Sequence, residues 1–127
     1  SHGGEKLIPL LPNNVMLLNN LAWLLIQEEK YDSAVKYAKM AESLMPKHGA
    51  ILDTLGVALL GIGEDKEALL VLIKANAESN EISIRVHLAI AMYKNNQQEN
   101  SLEILKKLTK EEITPFEKEL IAANISL

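Results

Sequence analysis

The chain repeats itself at a fixed distance. Leu21-Ala22, Ala34, Ala41 and Pro46 return 34 positions later as Leu55-Gly56, Ala68, Ala75 and Asn80, and a third, more worn copy places Leu88-Ala89, Ser101 and Leu108 one residue short of that period. A repeat of this length is a helical hairpin that cannot bury its own apolar face, so it persists only when stacked on its neighbours. Such stacking yields a curved scaffold rather than an enclosed catalytic pocket.

At 127 residues the chain is one domain by length, and its six glycines and four prolines suit a helical protein. A first helix with apolar period runs through Val15, Leu18, Leu21, Ala22, Leu25 and Ile26, with Asn13 or Asn14 as N-cap after Pro12, and stops near Glu29-Lys30. The second starts at Asp32 or its neighbours, carries Ala34, Val35, Ala38, Ala41 and Leu44 on one stripe, and is ended by Pro46. Residues 49–62 form the third, with Leu52, Leu55, Gly56 and Leu59 inward and Gly61 and Gly63 as breakers before Glu64-Asp65 open the fourth. The fourth uses Ala68, Leu69, Leu72 and Ala75; the fifth uses Ile84, Leu88, Ala89, Met92 and Tyr93 and ends at Asn95-Asn96. A sixth takes Leu102, Leu105 and Leu108. Thr114-Pro115 then reads as an N-cap followed by proline in the first turn of a last helix through Phe116, Leu120 and Ile121.

The expected organisation is a tail over 1–12, three repeats over about 13–47, 48–80 and 81–112, and a capping helix over 113–127. The cap covers the apolar face that a further repeat would have covered. Ser1-His2-Gly3-Gly4 is aperiodic and reads as a cloning remnant, so a longer array is expected. Leu7-Ile8-Pro9-Leu10-Leu11 reads as the tail of a preceding repeat.

Net charge is −4 and the basic residues are interspersed with acidic ones, which disfavours nucleic acid and anionic lipid as partners. The absence of cysteine excludes disulfides and thiolate metal sites. No apolar run reaches the roughly 18 to 20 residues of a membrane-spanning helix, so no direct membrane insertion is expected.

The pattern Leu21-Ala22, Leu25, Tyr31, Ala34, Ala38, Ala41 and Pro46, repeated as Leu55-Gly56, Leu59, Ala68 and Ala75, resembles the tetratricopeptide repeat from about Asn13 to Lys110. The fold so implied is all-α, a right-handed superhelix of three hairpins plus the cap. Ala22, Gly56 and Ala89 are expected where helices of neighbouring hairpins approach closest. Ser101 departs from the alanine of the earlier units and is expected to loosen the third locally. Asn19-Asn20-Leu21-Ala22-Trp23-Leu24-Leu25 and Leu52-Asp53-Thr54-Leu55-Gly56 are also similar to arrays of bacterial repeat proteins associated with exopolysaccharide production and PEP-CTERM sorting. That resemblance implies an envelope-side scaffold; the compartment otherwise stays open between periplasm or envelope and cytoplasm.

In the tetratricopeptide family the first helix of each hairpin lines the concave surface. Carried over by register, the groove positions are Met16, Asn19, Asn20, Trp23 and Gln27, then Asp53, Thr54 and Val57, then Ser83, Val86, His87, Ile90 and Lys94. Asn amides can grip an extended peptide backbone, and Trp23 reads either as a rigid apolar anchor or as a packing residue. Family members that clamp a chaperone's terminal carboxylate use Lys, Asn, Asn, Lys and Arg along the groove. Only Asn20 matches here, with Met16, Thr54, Ser83 and His87 at the other places, so a neutral, polar or mildly cationic ligand fits better.

His87 has no second His or Cys at ligand spacing and reads as a solvated or structurally bonded side chain. Met40, Met45 and Met92 sit at core spacing. With no phosphate loop and no nucleophile elbow, no enzyme, metal or cofactor is expected. The leading expectation is a protein or peptide partner in the groove. The alternative is an end segment of a longer solenoid that self-associates through its terminal faces.

Overall fold

The computed structural model describes residues 14–126. Among these residues seven α-helices follow in order: α1 Asn14–Gln27, α2 Tyr31–Leu44, α3 Gly49–Gly61, α4 Asp65–Glu78, α5 Ile82–Lys94, α6 Gln98–Lys106 and α7 Pro115–Asn124, with a 3-10 turn at Lys110–Glu112 before the last. No strand occurs among the described residues. The readings made for 1–12 and for Asn13 as N-cap lie outside them.

Each hairpin closes on a residue with left-handed backbone at the same place in its turn: Glu29 (φ 59°), Gly63 (φ 83°) and Asn96 (φ 64°). Glycine takes that conformation freely and asparagine tolerates it, whereas Glu29 pays roughly 1–2 kcal/mol for its Cβ. Between hairpins the chain turns differently. Pro46 denies Met45 the helical region, and Met45 sits at φ −139°, ψ 80° as α2 ends. Residues 45–48 join α2 to α3, but only 79–81 join α4 to α5. The period of 33 in the third copy therefore arises in that shorter loop, with the helices themselves intact.

Helices pair in sequence order as α1 with α2, α3 with α4 and α5 with α6, and α2 then packs on α3 and α4 on α5. Ala22, Ala34, Ala38, Ala41, Ala68, Ala75, Ala89 and Ala91 are all fully buried, which lets the helix axes approach closely.

Two expectations about these small residues are corrected by the packing. A Cβ on Gly56 would run into Leu72, which belongs to α4, so the close approach there lies within one hairpin and not between neighbours. The reason is size matching: Leu72 is large where the first hairpin has Ala38 in the same register, and Gly56 is smaller than Ala22 by one methyl. Ser101 does not loosen its hairpin, because its buried hydroxyl donates to the carbonyl of Ala89 at 2.6 Å. Met45 is exposed rather than core, since the turn at Pro46 points it away.

The last helix is nucleated by its own sequence. Thr114 Oγ1 accepts from the amide of Glu117 at 3.2 Å, and Glu117 Oε1 accepts from the amide of Thr114 at 3.0 Å, closing a reciprocal cap with Pro115 in the first turn. Expected as a lid on the third hairpin, α7 lies against α5 and also reaches the first: Phe116 meets the ring of Trp23.

Candidate binding groove

The concave side is built by α1, α3 and α5, and α7 crosses it. Phe116 sets its ring at 5.1 Å from that of Trp23, edge to face with 66° between planes, a favoured geometry for aromatic pairs. Phe116 and Leu120 pack against the buried cluster of Ile26, Ala34, Val57 and Ala58, while Leu120, Ile121 and Ile125 join Val86 and Ile90. Three of the groove's apolar positions, Val57, Val86 and Ile90, are thus already covered. Val57 and Ile90, expected as ligand contacts, are fully buried beneath this helix.

The polar positions have a different fate. Asn19, Asn20, Trp23, Asp53, Thr54 and His87 line one cavity of about 420 Å³, closed on its far side by Thr114, Phe116 and Glu117. A second cavity of about 420 Å³ lies on the other flank of α7, between Gln27, Tyr31 and Leu120. Burial, and after it the charge of Glu29, push the phenol of Tyr31 above its ordinary value. Met16 lies outside both cavities and is exposed, and Lys94 is held at the rim, where Nζ donates to Asn124 Oδ1 of α7 at 3.2 Å. The one lysine expected in the groove is therefore engaged by α7.

Within the first cavity some of the donors and acceptors are already committed. Thr54 Oγ1 donates to the carbonyl of Ala50 in its own helix at 3.0 Å. His87 is neither solvated nor free: its ring is 1% exposed and Nδ1 donates to Asp53 Oδ1 at 2.7 Å. A carboxylate only accepts, so the proton sits on Nδ1. That bond ties α3 to α5 across the boundary between the second and third hairpins. Nε2 of His87 and Oδ1 of Asn19 are buried with no hydrogen-bond partner among the described residues. Two titratable groups do meet beside a cavity here, yet Nε2 holds no nucleophile, as acyl-transfer chemistry requires. No group of three or more His, Cys, Asp or Glu positioned for a metal occurs among the described residues.

No protein-family model and no curated protein matches the chain. Solved structures do. MamA 41-end from Desulfovibrio magneticus RS-1 is similar with a TM-score of 0.69 at 20% identity, over 96% of this chain and 64% of that one. MamA AMB-1 is similar with a TM-score of 0.64 at 26% identity, over 88% of this chain and 62% of that one. The fold is a tetratricopeptide-type superhelix. The chain spans just under two thirds of either MamA structure, and at such identity the likeness speaks to architecture. The likeness to MamA lends no support to the exopolysaccharide or PEP-CTERM resemblance.

The tetratricopeptide register puts the expected groove positions on α1, α3 and α5 and leaves out Thr114, Phe116 and Glu117, which line the same cavity as Asn19, Asp53 and His87. Phe116 is the chain's single phenylalanine, set on an amphipathic helix with no hairpin partner. An orphan helix with an aromatic at its start was the signal available. The Asp53 to His87 bond had a signal too. These residues are 34 apart where the third copy runs at 33, so Asp53 aligns with Val86 and His87 with Thr54. The slip places His87, one position along, against Asp53.

Proposed function

We propose that this chain is a non-enzymatic interaction scaffold that receives a protein segment on its concave side. What supports the reading most is one cavity that gathers Asn19, Asn20, Trp23, Asp53, Thr54 and His87 from the first helices of three successive hairpins, with the half-buried indole in its wall. A rigid aromatic next to amide groups supplies apolar area and directional hydrogen bonds together, the usual make-up of a binding hot spot. Lining carboxylates Asp53, Glu81 and Glu117, with no Lys or Arg among the lining residues, favour a neutral or cationic segment.

The test is a partner identified from native extract and rebuilt from purified components. Trp23→Ala is expected to weaken it at least tenfold and Asn20→Ala several-fold. Unchanged affinity in both variants removes the groove from the interaction. An envelope association, suggested by sequence phrases alone, is checked separately by fractionating native cells with an antibody to the chain; a purely cytoplasmic signal removes it.

The second reading, self-association through a terminal face, draws on α1. Leu17 and Leu24 are 50% and 56% exposed there, on one stripe beside the half-buried Leu21. Light scattering across a concentration series decides it: a monomer at all concentrations leaves the concave reading alone, and concentration-dependent growth that Leu17→Ser and Leu24→Ser abolish supports the terminal face.

A further inference from the structure

The occupant of the groove is part of the chain, and it fits imperfectly. Helix α7 touches the concave surface through Phe116, Leu120 and Ile121, at helical spacing i, i+4 and i+5, and the extended residue that ends it, Ile125, joins them. On either flank it leaves a cavity of about 420 Å³, so it bridges the groove without filling it. Its polar ties are few and exposed: Lys94 to Asn124 at 3.2 Å, and Tyr93 Oη with the backbone of Ser126 at 3.4 Å. The inner face also buries Glu117 to 5% exposure, while among the described residues the one hydrogen-bond partner of its carboxylate is the amide of Thr114 in the same cap. Asp53 and Glu81 line the same cavity, so Glu117 adds a further carboxylate to a wall that holds no Lys or Arg.

We propose that α7 is a displaceable pseudo-ligand, and that the partner of this groove is an amphipathic helix carrying an aromatic followed by aliphatic residues at α7's spacing, with an uncharged or basic residue in place of Glu117. The proposal rests on the groove reading above and gives it an occupant: the surface takes a helix, the mode in which apolar anchors on one helical face enter an apolar groove. Residues 107–114 tether α7, and so short a tether holds it at an effective concentration of roughly millimolar. A free ligand therefore meets a groove open only part of the time, and its apparent affinity is reduced by that open fraction. Partner binding and release of α7 are one equilibrium, which makes α7 an autoinhibitory element.

The test uses the full chain and a labelled synthetic peptide of residues 114–126. In a chain carrying Phe116→Ala and Leu120→Ala, whose own α7 is weakened, the peptide is expected to bind at least tenfold tighter than to the unaltered chain, with a change in emission of Trp23, the chain's single tryptophan. A peptide with Glu117→Gln keeps the reciprocal cap, since glutamine serves there as well, and is expected to bind several-fold tighter than the native peptide; one with Phe116→Ala loses the binding. Equal binding to both chains, or none to either while circular dichroism shows α1 to α6 intact, overturns the proposal. Should the double variant fail to fold, hydrogen exchange on the unaltered chain decides: α7 amides that open at far lower free energy than those of α3 support displacement, and equal protection overturns it. If the peptide arms fail while Trp23→Ala still weakens the reconstituted partner, the groove reading stands without the helix; failure of both removes both.

Discussion

Asp53 and His87 stand 34 residues apart and are joined at 2.7 Å, the carboxylate on α3 receiving the Nδ1 proton of a ring that is otherwise buried on α5. Removing the acceptor leaves an imidazole buried with neither nitrogen satisfied. Such orphaning costs about 1–3 kcal/mol, so Asp53→Ala is expected to lower stability by that amount in urea unfolding. Asp53→Asn, whose amide oxygen still accepts, is expected to cost less. If Asp53→Ala shifts the midpoint no further than a surface substitution, the bond does not cross-tie the hairpins.

Gly56 and Leu72 test size matching inside the second hairpin. Gly56→Ala gains helix propensity of about 1 kcal/mol but forces its methyl against a fully buried Leu72, an overpacking cost of about 1–3 kcal/mol. Net destabilisation is expected. Leu72→Ala alone should cost about 2–5 kcal/mol, yet the double variant copies the Ala22 and Ala38 arrangement of the first hairpin. Its loss is therefore expected to fall short of the sum by about 1 kcal/mol or more in a double-mutant cycle. Strict additivity would contradict the size match.

Glu29 holds a left-handed backbone at φ 59° where the second hairpin has Gly63. Relief of Cβ strain outweighs the added chain entropy of glycine, so Glu29→Gly is expected to stabilise by about 0.5–1 kcal/mol. Thermal unfolding shows it as a raised Tm; a lowered one means that Glu29 makes a contact worth more than its strain.

Tyr31 sets an alkaline limit. Burial, then the charge of Glu29, raise its phenol above the ordinary 10.0. Because the folded value is the higher one, the folded state binds the proton more tightly. That contribution is whole below pH about 10 and is lost as pH rises through the folded value. Stability followed by denaturant from pH 8 to 11.5 is expected to fall more steeply in the native chain than in Tyr31→Phe, with Glu29→Gly intermediate. Parallel slopes for all three would remove Tyr31 as the cause.

The architecture was legible because its determinants are local and periodic. Ala34, Ala38 and Ala41 mark one helix face, Pro46 and Gly63 stop helices for reasons carried by those residues alone, and Thr114-Pro115 announces a helix start. The candidate site was half legible. Register put Asn19, Asp53 and His87 on the concave helices, but no periodicity records that α7 returns to Trp23, because that contact joins the first helix to the last and repeats nowhere. Nor does the pattern show that a loop shortened to 79–81 decides which groove residue Asp53 meets. Ser101 was misread for a simpler reason: small size was visible in the sequence, whereas the carbonyl awaiting its hydroxyl was not.

A stack of hairpins ordinarily frays like a spring with two loose ends, each unit held only by its neighbour. The edge-to-face contact of Trp23 with Phe116 fastens the first coil to the last. Fraying of either end must then break that contact as well, a coupling worth about 0.5–1.5 kcal/mol beyond the area it buries. Release of α7, as proposed above, would return both ends to that looser state.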